Sequence, residues 1–286
     1  MSDRGATQDG LAMLPELAPH ALHPSVVARG LSDGLLAASL GRYLRDTVYL
    51  ERQVVNPVAR WLLAREGRFA LPGPARRLAE RLHDDEEAHA AEAEALLAAV
   101  ASDTQGAPTR TPGFAAGLAA VQARGDHEDR DLLAFLFVFV TETALSDRLR
   151  LLAEDERVLP DVREFVGRHG RDEEWHRAFF AERFAQVWGA LTAEEQDRLG
   201  PALAELAVAY LGPDLDGDGG DLRAAGLADA DAEAILADLW TEDAVAEHVR
   251  RAARATLGAL EMAGALEHAA TRLALAAAGL LDEGAL

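Results

Sequence analysis

The spacing of apolar residues is the feature that most restricts how this sequence can fold. Apolar side chains recur every three or four positions along most of the chain, and the strict alternation of a half-buried strand is almost absent. Alanine and leucine abound, whereas β-branched and aromatic residues are sparse, which favours helices over strands. The sequence therefore predicts an all-α fold.

Proline, glycine and polar clusters divide this helical pattern. We expect a kink at Asn56-Pro57, because proline lacks the amide donor of a helix interior, and Gly125 allows a break. The segments 102–113 and 211–220 have the composition of loops. Long helices are predicted at 32–65, 75–100, 114–152 and 160–189, followed by two or three shorter ones up to residue 286.

The predicted elements form one domain with an N-terminal extension. A chain of 286 residues, 49% of them hydrophobic, can bury a large core. We expect an arm at 1–30 and a single helical domain at 31–286, divided into a bundle core at 32–190 and accessory helices at 200–286.

Net charge limits the partners of the chain. The 49 acidic residues outnumber the 28 basic ones, giving a formal net charge of −21, which repels nucleic acid and anionic membrane surfaces. The longest apolar stretch, 132–140, has about half of the ~20 residues that a membrane span needs. With no readable secretory signal, we expect a cytoplasmic protein that binds neither nucleic acid nor membranes.

The sequence contains no cysteine. Disulfides, thiolate nucleophiles, zinc fingers and iron–sulfur clusters are therefore excluded together. A metal ion in this chain would have to be bound by histidine and carboxylate.

The second predicted helix carries a polar pair on its apolar face. At 100° per residue, Glu86 and His89 share one face with Leu82 and Ala93. The pair is a Glu-x-x-His motif, whose spacing puts both side chains over one spot, where they can bind one metal ion. A second match, Glu80 to His83, falls off this face and is expected to be solvated.

The fourth predicted helix carries three such side chains. His169, Glu173 and His176 follow one another in steps of four and three residues, which keeps them on one face among aromatic residues. Glu51 shares the apolar face of the first helix, and Glu142 directly follows a strongly apolar run. A buried ionised carboxylate is costly unless it is protonated, paired or bound to metal.

The order of these residues is typical of a bundle that binds two metal ions. It runs Glu, Glu-x-x-His, Glu, Glu-x-x-His over four inward-facing helices. Four carboxylates balance two divalent ions, and donors without sulfur suit iron or manganese.

At this point the sequence resembles a known family, the ferritin-like diiron N-oxygenases typified by p-aminobenzoate N-oxygenase. The resemblance covers about residues 36–189. It depends most on a third histidine one turn before the second Glu-x-x-His motif, a position that His169 occupies. The resemblance implies a ferritin-like four-helix bundle with additional C-terminal helices, and the metal ligands Glu51, Glu86, His89, Glu142, His169, Glu173 and His176.

The resemblance also implies an activity. Two iron ions, with manganese as the other choice, would use O2 to oxidise an amine nitrogen to hydroxylamine, nitroso or nitro in biosynthetic metabolism. The expected partners are a small-molecule amine, an external electron donor such as a reductase or ferredoxin, and a second copy of the chain in a homodimer. Four phenylalanines are candidate walls that keep the site dry: Phe135, Phe139, Phe180 and Phe184.

Other functions stay open at this level. A diiron oxygenase acting on carbon, or on an aliphatic or amino-acid amine, would have the same motifs. A ferroxidase or iron-storage protein is the alternative from another class. No nucleotide-binding glycine motif appears, so electrons must come from outside. The acidic stretch 214–219 lacks the glutamate that ends a calcium-binding EF-hand loop, and we interpret it as an acidic turn.

Overall fold

The structure is a computed structural model that describes residues 10–13, 17–100, 110–144 and 146–281. These residues are overwhelmingly helical, and the only strand-like feature among them is an isolated bridge between Leu11 and Val158. The all-α prediction is therefore confirmed. Parts of the predicted arm, most of the predicted loop at 102–113 and the last five residues lie outside the described residues.

Helices follow one another with short connections. The α-helices are α1 (Pro24–Val27), α2 (Ser32–Leu50), α3 (Asn56–Ala64), α4 (Gly73–Val100), α5 (Gly113–Gln122), α6 (His127–Ala144), α7 (Ser146–Glu154), α8 (Pro160–Ala190), α9 (Ala193–Leu211), α10 (Leu215–Ala224), α11 (Asp229–Leu239), α12 (Glu242–Ala252), α13 (Arg254–Met262) and α14 (Ala269–Ala277). Short 3₁₀ turns occur at Pro19–Leu22, Gly67–Phe69 and Ala265–Glu267.

The bundle core consists of α2 with α3, α4, α6 and α8. Helix α4 packs along both α2 and α3, α6 packs against α8, and contacts of α4 with α8 and of α3 with α6 close the bundle. A core of aliphatic and phenylalanine side chains fills the space between the helices. This arrangement confirms the expected helical bundle and turns the inner faces of its helices toward one another.

The predicted disturbance at Asn56-Pro57 takes the form of a π-helical turn over Glu51–Val55. The amide of Asn56 donates to the carbonyl of Glu51, five residues back. Because Pro57 cannot donate and its ring needs room in the preceding turn, widening that turn keeps the helix continuous. Val54, Val55 and Asn56 are consequently buried in succession.

The predicted third helix, 114–152, was wrong as a single element, whereas the break that Gly125 was expected to allow is confirmed. The chain forms α5 and α6 on either side of this break, and α7 follows from Ser146, residue 145 being outside the described residues. At Gly125 a Cβ atom would come within 2.8 Å of the Asp129 side chain. Glycine is therefore required at this close approach.

The prediction of a loop at 211–220 was also wrong, because α10 begins at Leu215. The Asp214 carboxylate caps this helix by accepting from the amide of Gly217. Arg42 of α2 donates to Asp214 at 2.9 Å, to Asp221 at 3.1 Å and to Asp218. A cap and a shared cation thus offset the low helix propensity of a glycine-rich segment.

Accessory helices surround the core and outnumber the two or three predicted. Helix α9 packs against α5, α6 and α14, and α13 packs against α6 and α8. Thr143 of α6 and Thr256 of α13 form a buried hydroxyl hydrogen bond of 2.8 Å, which attaches α13 close to Glu142. No helix in the described part of the chain has the length and apolarity needed to cross a bilayer.

Removing the shared cation should destabilise the fold. We expect Arg42→Gln to lower the free energy of unfolding by about 2–3 kcal/mol, because three largely buried carboxylates lose the cation that they share, and only Asp214 keeps a second arginine, Arg110. Arg29→Gln is the matched control. It breaks one half-exposed pair with Asp231 and should cost less than about 1 kcal/mol. Urea unfolding measures both; equal losses would contradict the role of Arg42.

Candidate metal centre

The bundle interior brings together all seven side chains that the sequence analysis selected. Each of them is between 0 and 4% exposed. One comes from the π-helical turn, two from α4, one from the C-terminal end of α6 and three from α8: Glu51, Glu86, His89, Glu142, His169, Glu173 and His176.

One group of ligand atoms lies around His169. Its Nε2 atom is 3.0 Å from Glu173 Oε1 and 3.9 Å from Glu51 Oε1. His89 Nδ1 lies 4.0 Å from the same oxygen of Glu173. Ligand atoms of His89, His169 and Glu173 all fall within 4.8 Å of one another, which is close enough to bind one ion.

A second group lies around His176 and includes Glu86, Glu142 and Glu173, again within 4.8 Å. His176 Nδ1 is 2.9 Å from Glu86 Oε1, 3.3 Å from Glu173 Oε1 and 3.7 Å from Glu142 Oε2. The other oxygen of Glu86 lies 3.0 Å from His89 Nδ1. Glu173 belongs to both groups and Glu86 faces a histidine of each, so these two carboxylates lie between two ion positions.

Burial shifts the titration of two glutamates upward. Desolvation, and then the charges of neighbouring glutamates, raise the pKa of Glu51 and of Glu142 well above the ordinary value. Both carboxyl groups therefore hold a proton more readily than an exposed glutamate does when no metal ion is bound.

The pKa values of the other two glutamates are lowered. Burial alone would raise the pKa of Glu86, but His176 and His89 outweigh it and lower that pKa to about 2. Histidines likewise lower the pKa of Glu173. Burial opposes charge on His176, yet Glu86 and Glu173 raise its pKa to about 11, and Glu86 raises the pKa of His89.

Three carboxylate oxygens of this centre have no interaction that the protein alone provides. Glu51 Oε2, Glu142 Oε2 and Glu173 Oε2 are buried without a hydrogen-bond partner in the described part of the chain. Such atoms are costly unless something binds them. Four carboxylates balance two divalent ions, and nitrogen and oxygen donors without sulfur suit iron or manganese. The residues therefore fit a pair of these ions.

Two aromatic rings contact histidines of the centre: the ring centroid of Phe165 lies 5.8 Å from that of His169, and that of Trp175 lies 4.3 Å from that of His176. The four phenylalanines expected as walls, Phe135, Phe139, Phe180 and Phe184, are completely buried in the core, and their role as walls stays a prediction. Phe139 and Phe184 stack with ring centroids 4.1 Å apart. Low water access strengthens the electrostatic interactions of every charged group inside.

Sequence reasoning missed two aspartates outside the ring of ligand atoms. Asp172 Oδ2 lies 3.4 Å from His89 Nε2, and Asp85 Oδ2 lies 3.6 Å from His176 Nε2. Each aspartate immediately precedes the glutamate of one Glu-x-x-His motif. An aspartate directly before each motif was the only sign of these contacts in the sequence. Each aspartate faces the histidine of the other helix, which the sequence does not show.

The false match on α4 lies away from the centre, as expected. Glu80 is exposed and the His83 side chain is about one-third exposed, with Nε2 3.2 Å from Arg60 Nη1. The acidic stretch after Asp214 is also used elsewhere. Its carboxylates bind Arg42, so the calcium interpretation remains unsupported.

The chain matches a known family. A family model described as P-aminobenzoate N-oxygenase AurF matches residues 34–264, which include all but the first two residues of the core helices, all seven selected side chains and the accessory helices through α13. A search of curated proteins finds no match.

Metal binding should release protons. Adding Mn²⁺ to metal-free protein at pH 7 should displace protons, because the pKa of His176 is raised to about 11 and the pKa values of Glu51, Glu142 and His89 are also raised. Because the protonated groups compete with metal, affinity should fall as the pH falls. Calorimetry in two buffers of different ionisation enthalpy counts the protons. Binding of two ions without proton release would contradict this description.

Proposed function

The chain belongs to the p-aminobenzoate N-oxygenase family, and we propose that it is a non-haem diiron enzyme that oxidises the nitrogen of an arylamine or a related amine with O2. The observation that carries this proposal is the convergence of four glutamates and three histidines in one buried centre. The family match over residues 34–264 supports N-oxygenation as the reaction of this centre.

Seven residues would hold the two ions in this proposal. His89, His169 and Glu51 would hold one ion, His176 and Glu142 the other, with Glu86 and Glu173 shared. When bound, the iron pair supplies the reduction of O2 and the transfer of one oxygen atom to nitrogen. Histidine in place of a carboxylate at position 169 adds a neutral donor, so the centre stays charge-balanced with four glutamates.

The remaining work falls to the protein itself. The centre is almost completely buried, which keeps bulk water away from a nitrogen that reacts there. The backbone around Glu51 is held by the π-helical turn, which directs this carboxylate toward His169.

The reaction balances only with an external reductant. An amine, O2, two electrons and two protons give a hydroxylamine and water. The chain carries no nucleotide-binding glycine motif, so we propose a reductase or ferredoxin as the electron donor. A homodimer, a biosynthetic role and a cytoplasmic location stay predictions from the sequence.

The activity has a direct test. Protein loaded with Fe²⁺ under anaerobic conditions and then given O2, a chemical reductant and p-aminobenzoate should form the hydroxylamine, followed by more oxidised products. Mass spectrometry with ¹⁸O2 should show label in the product. A panel including aliphatic amines, amino acids and an aromatic substrate without nitrogen separates the alternative oxygenases. Rapid oxidation of excess Fe²⁺ without any oxidised organic product would favour a ferroxidase instead.

Loss of the third histidine should separate metal binding from turnover. We expect His169→Ala to retain two irons, because six ligands remain, and to lose most of its N-oxidation. His83→Ala is the control, since it removes a histidine of the same chain outside the centre. Iron content and the rate of amine oxidation are both measured. A variant with two irons and a normal rate would contradict the role proposed for His169.

A further inference from the structure

The two outer aspartates cross between helices. Asp85 of α4 faces His176 of α8, and Asp172 of α8 faces His89 of α4. In both histidines the Nδ1 atom faces the glutamates and the Nε2 atom faces the aspartate. The arrangement is reciprocal, so each helix supports the histidine of its partner.

One arginine lies over both aspartates. Arg81 Nε is 3.3 Å from Asp85 Oδ2, and its Nη2 is 3.7 Å from Asp172 Oδ1. The guanidinium carbon lies 4.6 Å from the centre of the Trp175 ring. That ring in turn meets the ring of His176 edge to face at 4.3 Å. Arg81 therefore connects the two outer carboxylates and covers an aromatic side chain that contacts a ligand.

We propose that Arg81 is a positioning residue for the metal centre, which holds Asp85 and Asp172 against the outer nitrogens of His176 and His89. The inference rests on the proposed function, because it requires metal at the inner nitrogens. A histidine that binds an ion through Nδ1 carries its proton on Nε2, and a fixed carboxylate at Nε2 selects that form and orients the ring.

The aspartates need such a restraint. The side chains of Asp85 and Asp172 are 23% and 36% exposed, so without a cation both could rotate toward water. A guanidinium suits this task, because its planar array of donors can contact two carboxylates at once while stacking on an indole ring.

His169 provides an internal comparison. Its Nε2 atom faces the centre, and its Nδ1 atom has no carboxylate within 4.0 Å in the described part of the chain. His176 Nε2, by contrast, has Asp85 Oδ2 at 3.6 Å, an ion-pair distance too long for a hydrogen bond, and His89 Nε2 has Asp172 Oδ2 at 3.4 Å. The two histidines of the Glu-x-x-His motifs thus have an outer carboxylate that the third lacks. The bridge through Arg81 is accordingly a feature of those two ligands and not of every histidine in the centre.

The test uses Co²⁺ as the probe, because its visible absorption reports ligand geometry and its binding needs no O2. Arg81→Gln should weaken Co²⁺ binding by roughly 10–100-fold and change the absorption band, while the metal-free protein keeps its unfolding free energy within about 1 kcal/mol. Arg81→Lys should restore binding in part, since an ammonium keeps the charge but lacks the planar donors. Arg77→Gln, an exposed change of equal charge one turn earlier on α4, should bind like the parent.

A double-mutant cycle identifies the route. In a protein that already carries Asp85→Asn and Asp172→Asn, Arg81→Gln should have no further effect on Co²⁺ affinity. Undiminished affinity and an unchanged spectrum in Arg81→Gln would overturn the proposal, as would a loss of stability with no change in binding. Failure of the parent protein to bind two Co²⁺ ions would instead overturn the metal centre itself, so the two failures are distinguishable.

Discussion

Desolvation of four carboxylates is the constraint on which this structure depends. A glutamate in a phenylalanine-lined interior is unfavourable unless its charge is removed or compensated. The bundle provides both solutions. Helices satisfy their own backbone groups internally, so only side chains remain to be neutralised. In the absence of a metal ion, a protonated histidine one turn from a glutamate supplies the counter-charge. When a metal ion binds, the histidine loses this proton and becomes a ligand.

The long helices and the inner faces of the bundle could be predicted because both follow from local spacing. Glu86 with His89, and Glu173 with His176, point inward for the same reason as their apolar neighbours. Contacts between distant segments were invisible to that reasoning. Helix α10 forms on a glycine-rich segment because an arginine 170 or more residues away binds its aspartates. The pairing of Asp85 with His176 likewise depends on the register between two helices, which the sequence of either helix cannot show.

At two places in this acid-rich chain, one arginine compensates the charge of several carboxylates. Arg42 binds three aspartates, and Arg81 contacts two. A sequence with fewer basic than acidic residues must leave many carboxylates to water, and here the shared arginines contact carboxylates that are partly or largely buried. In both cases the arginine joins segments that are far apart along the chain. Arg42 and Arg81 therefore both compensate carboxylate charge and connect distant segments of the fold.

The π-helical turn gives the first core helix two separate registers. Residues before Glu51 follow one helical frame, and residues after Val55 follow a second frame offset by the extra residue of the wide turn. A turn of this kind is what a helix becomes when one residue is inserted without moving either end. Deletion of one residue from this turn would let both halves of the helix keep their packing, but it would turn the Glu51 carboxylate away from His169. A metal ligand could then be gained or lost in evolution by the insertion or deletion of a single residue.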